Sequence, residues 1–465
     1  MKKLRQLIEC SYDIEILGIT DDSRNVQKGY LFVATKGYYV DHFDYIEDAI
    51  NRGAVCIIAD KSIDVSVPVI VVEDINNYYI DLCERFYDVN SKEFSFIGVT
   101  GTDGKTTTTT VIKDLLSEVC NVACIGTNGL LIKDEFFSTN NTTPCISELY
   151  DNLKLIKDRK CSDVVMEVSS EALLHDRLKR FKYDIVAFTN ITEDHLNIHK
   201  TIDNYKKCKF KLLKLVNDKG IVVVNGDDEI CKSISADNLY KIGLGLSNNF
   251  VISNVINNPN SVAFTVTYNN NKYDIISPLL GLYNVYNVTM AFAICLLKGV
   301  SASNLIDKIK NLSTVKGRRE YLSFGQNYDI ILDYAHTYNG IKCLFDSLSG
   351  YKRIITVTGA AGGREKEKRS KIGRLVLERS DVAIFTMDDP RYEDVDEIID
   401  QMVGESPIDY LRIVDRKKAI IKAFSLADEE SVVLVLGKGR DNYMAIEDRK
   451  EYYSDYDVIE NYFNC

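Results

Sequence analysis

Gly98 to Val111 reads GVTGTDGKTTTTTV, where glycines, one lysine and five consecutive threonines follow an apolar stretch. The preceding FSFIGV alternates as a strand does. The following VIKDLLSEV spaces Val111, Leu115, Leu116 and Val119 as one helix face. Strand, glycine turn and helix is the context in which backbone N–H groups and a helix N-terminus hold phosphate. In it Lys105 reaches the outer phosphates, and the Thr106 hydroxyl faces a magnesium ion. The first glycine of the strict G-x-x-x-x-G-K pattern falls on Val99, and a threonine-rich turn is the plain alternative. The context favours a bound nucleotide and leaves the reaction open.

Two more groups of polar residues stand at expected strand ends. Glu167 closes the run DVVMEV and precedes Ser169 and Ser170. A carboxylate there in a phosphate-binding protein faces Mg²⁺, directly or through water. Capping of the next helix is the competing role, and it suits Ser169 or Ser170 better than Glu167. IVAFTN leads into ITEDHLNIH, which holds Asp194, His195 and His199; the chain has five histidines in all, so this run is enriched. His195, next to Asp194 past a buried strand, reads as a ligand. His199 suits a solvated loop equally well.

These residues need a scaffold, and the strand pattern supplies one of α/β class. Residues 1 to about 90 contain YLFVAT (30–35), AVCIIAD (54–60) and VPVIVVED (67–74), with a helical stretch at YIEDAINRGA (45–54). FIGVTG, VVMEVSS, IVAFTN and GIVVVNGDD then read as buried parallel strands between about 94 and 316. From Gly317, DIILDYA (329–335), RIITVTG (353–359), DVAIFT (381–386) and SVVLVLGKG (431–439) predict a second doubly wound sheet. Three domains are expected, at 1–92, 93–316 and 317–465. In such sheets the loops at the carboxyl ends of strands bind ligands.

With 465 residues, 45% hydrophobic and 27% charged, the chain can bury several cores. A net charge of −11 argues against an extended nucleic-acid surface, so anionic ligands must be held by local basic groups. Twelve cysteines without a C-x-x-C pair suit buried thiols in a reducing cytosol. No long apolar h-region opens the sequence and no apolar run of about 18 residues occurs, so a cytoplasmic protein without stable membrane insertion is expected.

Further motifs follow one another along almost the whole chain: ITDDSR (19–24), GYLFVATKG (29–37), GTDGKTTT, Asn141-Thr142-Thr143-Pro144, EVSSEAL (167–173) with Arg177, and FTNITEDHLNIH (188–199). YKKCK (205–209), GLYNVYN (281–287), GRRE (317–320), LDYAHT (332–337), DDPR (388–391) and GKGRD (437–441) continue the series. Together they resemble the Mur ligase family, and within it the members that add the third amino acid to UDP-N-acetylmuramoyl-dipeptide. The resemblance implies a small uridine-binding N-terminal domain, a central P-loop ATPase-like parallel sheet and a C-terminal Rossmann-like domain.

It also implies roles. ATP falls to Gly101, Thr102, Gly104, Lys105, Thr106, Thr107, Asn287, Arg318 and Asp333. The muramoyl substrate falls to Ser23, Thr142, Thr143, Ser169 and Arg177. One Mg²⁺ falls to Thr106 and Glu167, and a second to His195 and a carbamylated Lys209. The carbamate converts a cation into the oxygen ligand that a hard dication needs. Without the resemblance, Lys209 reads as one more lysine on an exposed helix face. Lys105, Lys209, His195 and His336 are the implied catalytic set, with Arg318, Asp333 and His336 reaching back to ATP from the third domain. The incoming amino acid falls to Arg364, Asp388, Asp389, Arg391, Gly437 and Asp441. The implied reaction forms an amide through an acyl phosphate in peptidoglycan precursor synthesis, on a monomer whose partners are UDP-N-acetylmuramoyl-dipeptide and a free diamino acid.

The chain departs from the family pattern in several places. Glu171 stands where His is usual, Asp103 where Asn is common, and Tyr338 for Pro. GAAGGRE (359–365) replaces GCGGDRD while keeping Arg364, and Arg440-Asp441 replaces His-Glu. A folylpoly-γ-glutamate synthetase shares the ATP loop but lacks the uridine domain to which Asp22-Ser23-Arg24 point. A nucleotide switch gives residues 317–465 no purpose. A non-catalytic paralogue that binds UDP-muramoyl peptides is the third alternative. For the amino acid, L-lysine and meso-diaminopimelate both remain. Asp389, in place of the usual Asn, tilts the expectation toward lysine by repelling a distal carboxylate, unless Arg391 neutralises it.

Overall fold

The structure, a computed structural model, describes residues 1–37, 41–348 and 350–464. It contains two compact units, one of Met1–Thr100, Leu116–Val186 and Cys208–Ile221, the other of Gly101–Leu115, Ala187–Lys207 and Val222–Cys465.

The first unit carries a four-stranded parallel sheet in the order Gly18–Thr20, Tyr30–Val33, Ala54–Ala59, Val69–Val71. These are the three apolar runs expected there, joined by a short strand ahead of Asp21. Helix Ile75–Tyr87 follows, started by Asp74, whose carboxylate accepts the Asn77 N–H at 3.1 Å. Its buried Ile75, Tyr79, Leu82 and Cys83 form the single apolar stripe of a surface helix. Farther along, Val122–Gly126, Asp163–Glu167 and Ser95–Thr100 run side by side and parallel, with Val165 between Cys124 and Ile97. Asp163–Glu167 is buried throughout, as a strand covered on both faces must be. Glu167 stands at its carboxyl end.

In the second unit, the helix after the glycine turn spans Lys105–Leu116. Val119 lies beyond its end and is 53% exposed, so it does not continue the buried face expected of it. Threonine is a modest helix former, yet Thr106 to Thr109 are all buried. Thr109 Oγ1 donates to Thr106 O at 3.1 Å and Thr108 Oγ1 to Asn287 Oδ1 at 3.3 Å. The threonine run therefore fills a polar interior rather than a solvated turn.

Val216–Asn225 pairs in parallel with Leu239–Gly243 through Val222 and Leu239. Beyond it, Phe250–Asn258, Ser261–Tyr268 and Asn271–Ser277 form an antiparallel meander, which a purely parallel expectation for 94–316 did not contain. The last sheet has the order Glu320–Leu322, Asp329–Asp333, Ser431–Leu436, Arg353–Thr358, Val382–Phe385, Leu411–Arg412. All its neighbours are parallel except the first pair. One core includes Ile341, Val376 and Ile399, and another Ile420, Phe424 and Ile459, so the sheet is buried on both faces. Its carboxyl ends, at Asp333, Thr358, Phe385 and Leu436, open into the loops that carry the candidate residues. Among the described residues no helix is long and apolar enough to cross a membrane.

Candidate active site

The glycine turn is held from within its own unit. Thr102 N donates to Asn190 O at 2.8 Å, and Asp103 N to Asn190 Oδ1 at 2.9 Å. Thr189 Oγ1 and Asn190 Nδ2 both donate to Asp103 O, at 2.6 and 3.1 Å. Gly104 has φ +83°, and a Cβ there would lie 2.5 Å from Asn287 Oδ1, so conformation and space both demand glycine. Lys105 folds back over the turn and donates to Gly101 O at 3.0 Å and Thr102 O at 2.8 Å. The ammonium thus rests on two carbonyl oxygens beside the N-terminus of helix Lys105–Leu116, and such a helix start suits a phosphate.

The segment before the last sheet meets this turn. Arg318 Nη2 donates to Thr106 Oγ1 at 3.0 Å, and its guanidinium lies 4.4 Å over the Tyr334 ring. Thr337 Oγ1 donates to Asp103 Oδ1 at 3.1 Å. Burial raises the Asp103 carboxyl above its ordinary range. Burial raises Asp333 as well, while Arg318 and the N–H groups of Arg319 and Ala335, the last two 2.6 Å away, oppose the rise. Asp333 thus shapes the strand of chain that presents Arg318. A cavity of about 1350 Å³ opens here, lined among others by Asp103, Thr107, Asn287, Arg318 and Asp333. Thr107 and Asn287, expected at the nucleotide, border it.

Asp194 is a node that the sequence presented only as a neighbour of His195. It is 6% exposed and lies 3.1 Å from Lys368 Nζ, 3.4 Å from His195 Nε2 and 3.9 Å from His336 Nε2. Burial favours the neutral acid, but the two imidazoles and the ammonium hold its carboxyl well below the usual range. His195 takes a left-handed backbone, and Arg364 Nη1 lies 3.4 Å from its Nδ1. His336 Nδ1 meets Tyr334 O at 2.9 Å. His199 is buried and packs on Tyr205 with ring centroids 5.1 Å apart, contrary to a solvated loop.

At the carboxyl ends of two other strands stand Asp388, Asp389, Gly437, Lys438 and Asp441. Lys438, 1% exposed, donates to Asp389 Oδ1 at 2.8 Å and lies 3.9 Å from Asp388 Oδ1. Asp389 Oδ1 also accepts the Ala445 N–H at 2.9 Å. Its charge is thus compensated by Lys438, a residue the sequence did not single out, which removes the repulsion used to favour lysine. Arg391 N bonds to Ala445 O at 3.0 Å. Burial raises the Asp388 carboxyl against Arg416 and Lys438, and it pushes Asp441 up to about 6. Behind them the buried Arg416 pairs with Asp455 at 2.7 Å and donates to Leu436 O, bracing the strand end before Gly437.

In the first unit, Glu167 is 1% exposed and accepts the Thr127 N–H at 2.8 Å. Thr127 Oγ1 meets Thr142 Oγ1 at 3.1 Å. Thr143 Oγ1 donates to Glu167 O at 2.7 Å and accepts from Ser169 N at 2.9 Å, while Arg177 donates to Thr143 O at 3.1 Å. Thr142, Thr143, Ser169 and Arg177 therefore gather as expected. Ser169 also caps Ser170–Leu174 through the Ala172 N–H, the competing role considered for it. A cavity of about 810 Å³ is lined by Asp22, Ser23, His42, Asn141, His175 and Arg177, among others. His42 and His175 were missed, although histidine was scarce enough to have drawn attention. Lys209 is 1% exposed, with Nζ 3.5 Å from Thr100 Oγ1, so the exposed helix face was wrong.

Among the described residues no three His, Cys, Asp or Glu side chains form a metal-binding group. The Thr106 hydroxyl in the second unit and the Glu167 carboxylate in the first are each hard oxygen donors of the kind Mg²⁺ takes.

Three family models match the chain in order: "Mur ligase family, catalytic domain" over residues 15–91, "Mur ligase middle domain" over 99–295, and "Mur ligase, glutamate ligase domain" over 317–439. The UDP-N-acetylmuramoyl-L-alanyl-D-glutamate–2,6-diaminopimelate ligase of Bacillus cereus is 33% identical over 98% of this chain and 98% of its own. The solved structure of such a ligase superposes with a TM-score of 0.63 at 24% identity, covering 100% of this chain and 99% of the other. The MurF ligase of Thermotoga maritima in complex with ADP matches in fold with a TM-score of 0.65 at 20% identity, covering 90% and 93%.

Proposed function

The chain belongs to the Mur ligase family, and we propose that it joins meso-diaminopimelate to UDP-N-acetylmuramoyl-L-alanyl-D-glutamate with hydrolysis of ATP to ADP and phosphate. The observation that carries the choice of amino acid is the Lys438–Asp389 contact at 2.8 Å. A neutralised Asp389 no longer repels a second carboxylate, while Asp441 remains for an ammonium. Diaminopimelate offers both charges at its distal end, and the relatives' names point the same way.

In the reaction, the substrate carboxylate takes the γ-phosphoryl group as the bond to the β-phosphate oxygen breaks. The amino group then attacks the acyl carbon, and phosphate leaves as the C–O bond breaks and the amine loses its proton. Lys105 and the main-chain N–H groups at the start of helix Lys105–Leu116 hold the phosphate charge, and Arg318 adds a second cation as that charge shifts. Asp194 orients His195, Lys368 and His336 beside the turn. Mg²⁺, when bound, neutralises charge on the transferring group; Thr106 and Glu167 would hold one ion, His195 and a carbamylated Lys209 a second. Carbamate formation needs a neutral amine, which burial favours. The proposal keeps the three domains at 1–92, 93–316 and 317–465 and places the enzyme in the cytoplasm as a monomer.

Phosphate release and product mass, measured with ATP, Mg²⁺, the UDP-muramoyl dipeptide and either amino acid, test this. Release that requires the dipeptide and prefers diaminopimelate is expected. Preference for L-lysine overturns the amino-acid assignment, and no ligation with either overturns the ligase assignment.

A further inference from the structure

Arg440 replaces a usual histidine in a loop whose other residues face the amino-acid end, yet its side chain turns away from that end. Its Nε donates to Glu320 Oε2 at 2.9 Å, and Nη2 pairs with the other oxygen of the same carboxylate. The guanidinium also lies 3.4 Å over the Tyr456 ring. Glu320 is 7% exposed, and its Oε2 accepts the Gly317 N–H at 2.7 Å. Gly317 O takes the Tyr334 N–H at 2.9 Å.

The two backbones touch as well. Gly317 has φ +68°, and a Cβ there would lie 2.8 Å from Arg440 N. Gly439 has φ +51°, and its Cβ would lie 3.0 Å from Gly317 O. Next to Gly317 is Arg318, whose guanidinium donates to Thr106 on the phosphate turn. Two residues before Arg440 is Lys438, which compensates Asp389. A bidentate, partly buried Arg–carboxylate pair has a fixed fork geometry that a histidine or lysine cannot reproduce.

We infer that Arg440 is a positioning residue that fastens the amino-acid loop, 437–441, to the segment carrying Arg318, so that both ends of the active site are set by one ion pair. The inference rests on the ligase function proposed above. It follows that loosening Arg440 disturbs two substrates it does not touch and spares the third. Arg440→Ala is expected to raise KM for the diamino acid and for ATP together, each about threefold to tenfold, with KM for the UDP-muramoyl dipeptide within twofold of the parent. Arg440→Lys, which reaches one carboxylate oxygen, is expected to fall between. Glu320→Ala should reproduce Arg440→Ala, and the double variant should be no worse than either single one.

ADP affinity measured calorimetrically without acceptor gives the same comparison independently of ligation, so a mistaken amino acid leaves this test standing. A weaker ADP affinity in Arg440→Ala, absent further loss in the double variant, is the expected result. A rise in the diamino-acid KM alone makes Arg440 a substrate contact, and a lower Tm with all three KM values and the ADP affinity unchanged makes it purely structural. Either outcome overturns the inference.

Discussion

At the turn proposed for phosphate, Lys105 is held by carbonyls three and four residues away. At the end proposed for the amino acid, the charged groups are held across the chain. Lys438 meets Asp389 at a separation of 49 residues, Arg416 meets Asp455 at 39, and Arg440 meets Glu320 at 120. Phosphate offers the same charge in every nucleotide, so one lysine set by the turn's own carbonyls can answer it, with Asn190 and Arg318 bracing the turn from afar. An amino acid must be told from others by the balance of two signs at its far end, and that balance is set by several elements meeting. Damage at the first site should therefore be severe and simple, and damage at the second smaller and shared among residues.

The largest effect is expected from Lys105→Ala, which removes the ammonium over the turn; a loss on the order of 10³-fold in kcat is predicted from steady-state phosphate release. Retention of more than a tenth of the activity would break the idea of a local phosphate device.

Lys209→Ala probes a residue belonging to neither region. A kcat loss of about 10²-fold is expected. Because Lys209 is buried, a lower Tm should accompany it, unlike the truncation of a surface lysine. Near-normal turnover would remove the carbamate assignment.

His336→Ala sharpens the first half of the comparison. His336 meets Tyr334 O and lies 3.9 Å from Asp194. Turnover should fall about tenfold to 10²-fold while ADP affinity changes less than threefold; equal losses would place His336 in the nucleotide seat.

Asp389→Asn tests the second half. It leaves the buried Lys438 with weaker compensation, so unfolding free energy should fall by about 1–3 kcal/mol in urea titrations. Diaminopimelate ligation should not improve. An improvement with no loss of stability would restore the repulsion argument and, with it, lysine.

The smallest effect concerns Asp441, held at about 6 by burial against an ordinary 3.8. The folded chain keeps this proton to higher pH than the unfolded chain does. The group therefore contributes stability that is complete below about pH 4 and is lost as pH rises through about 6. Asp441→Asn should flatten the stability profile across that window and unfold at higher urea than the parent at pH 7, by on the order of 1 kcal/mol. A profile unchanged by the substitution would show that Asp441 does not titrate there.

The sequence by itself determined the strand ends, the glycine turn, the nucleotide function and the family. The first three depend on periodicity within about ten residues or on backbone freedom at a particular glycine, and the family on the order of separate motifs along the chain. The places of Gly104 in a tight turn and Glu167 at a strand end were legible for that reason. Which charge meets which was decided by the tertiary structure. Lys209 and His199 proved buried where a local pattern made them exposed, because helix faces are assigned by what packs on them. Lys438 beside Asp389, Lys368 beside Asp194 and Arg440 beside Glu320 lie on separate strands, helices and loops, and no spacing along the chain marks them. An ion pair's strength depends on distance and on the exclusion of water, and both are properties of the packed protein.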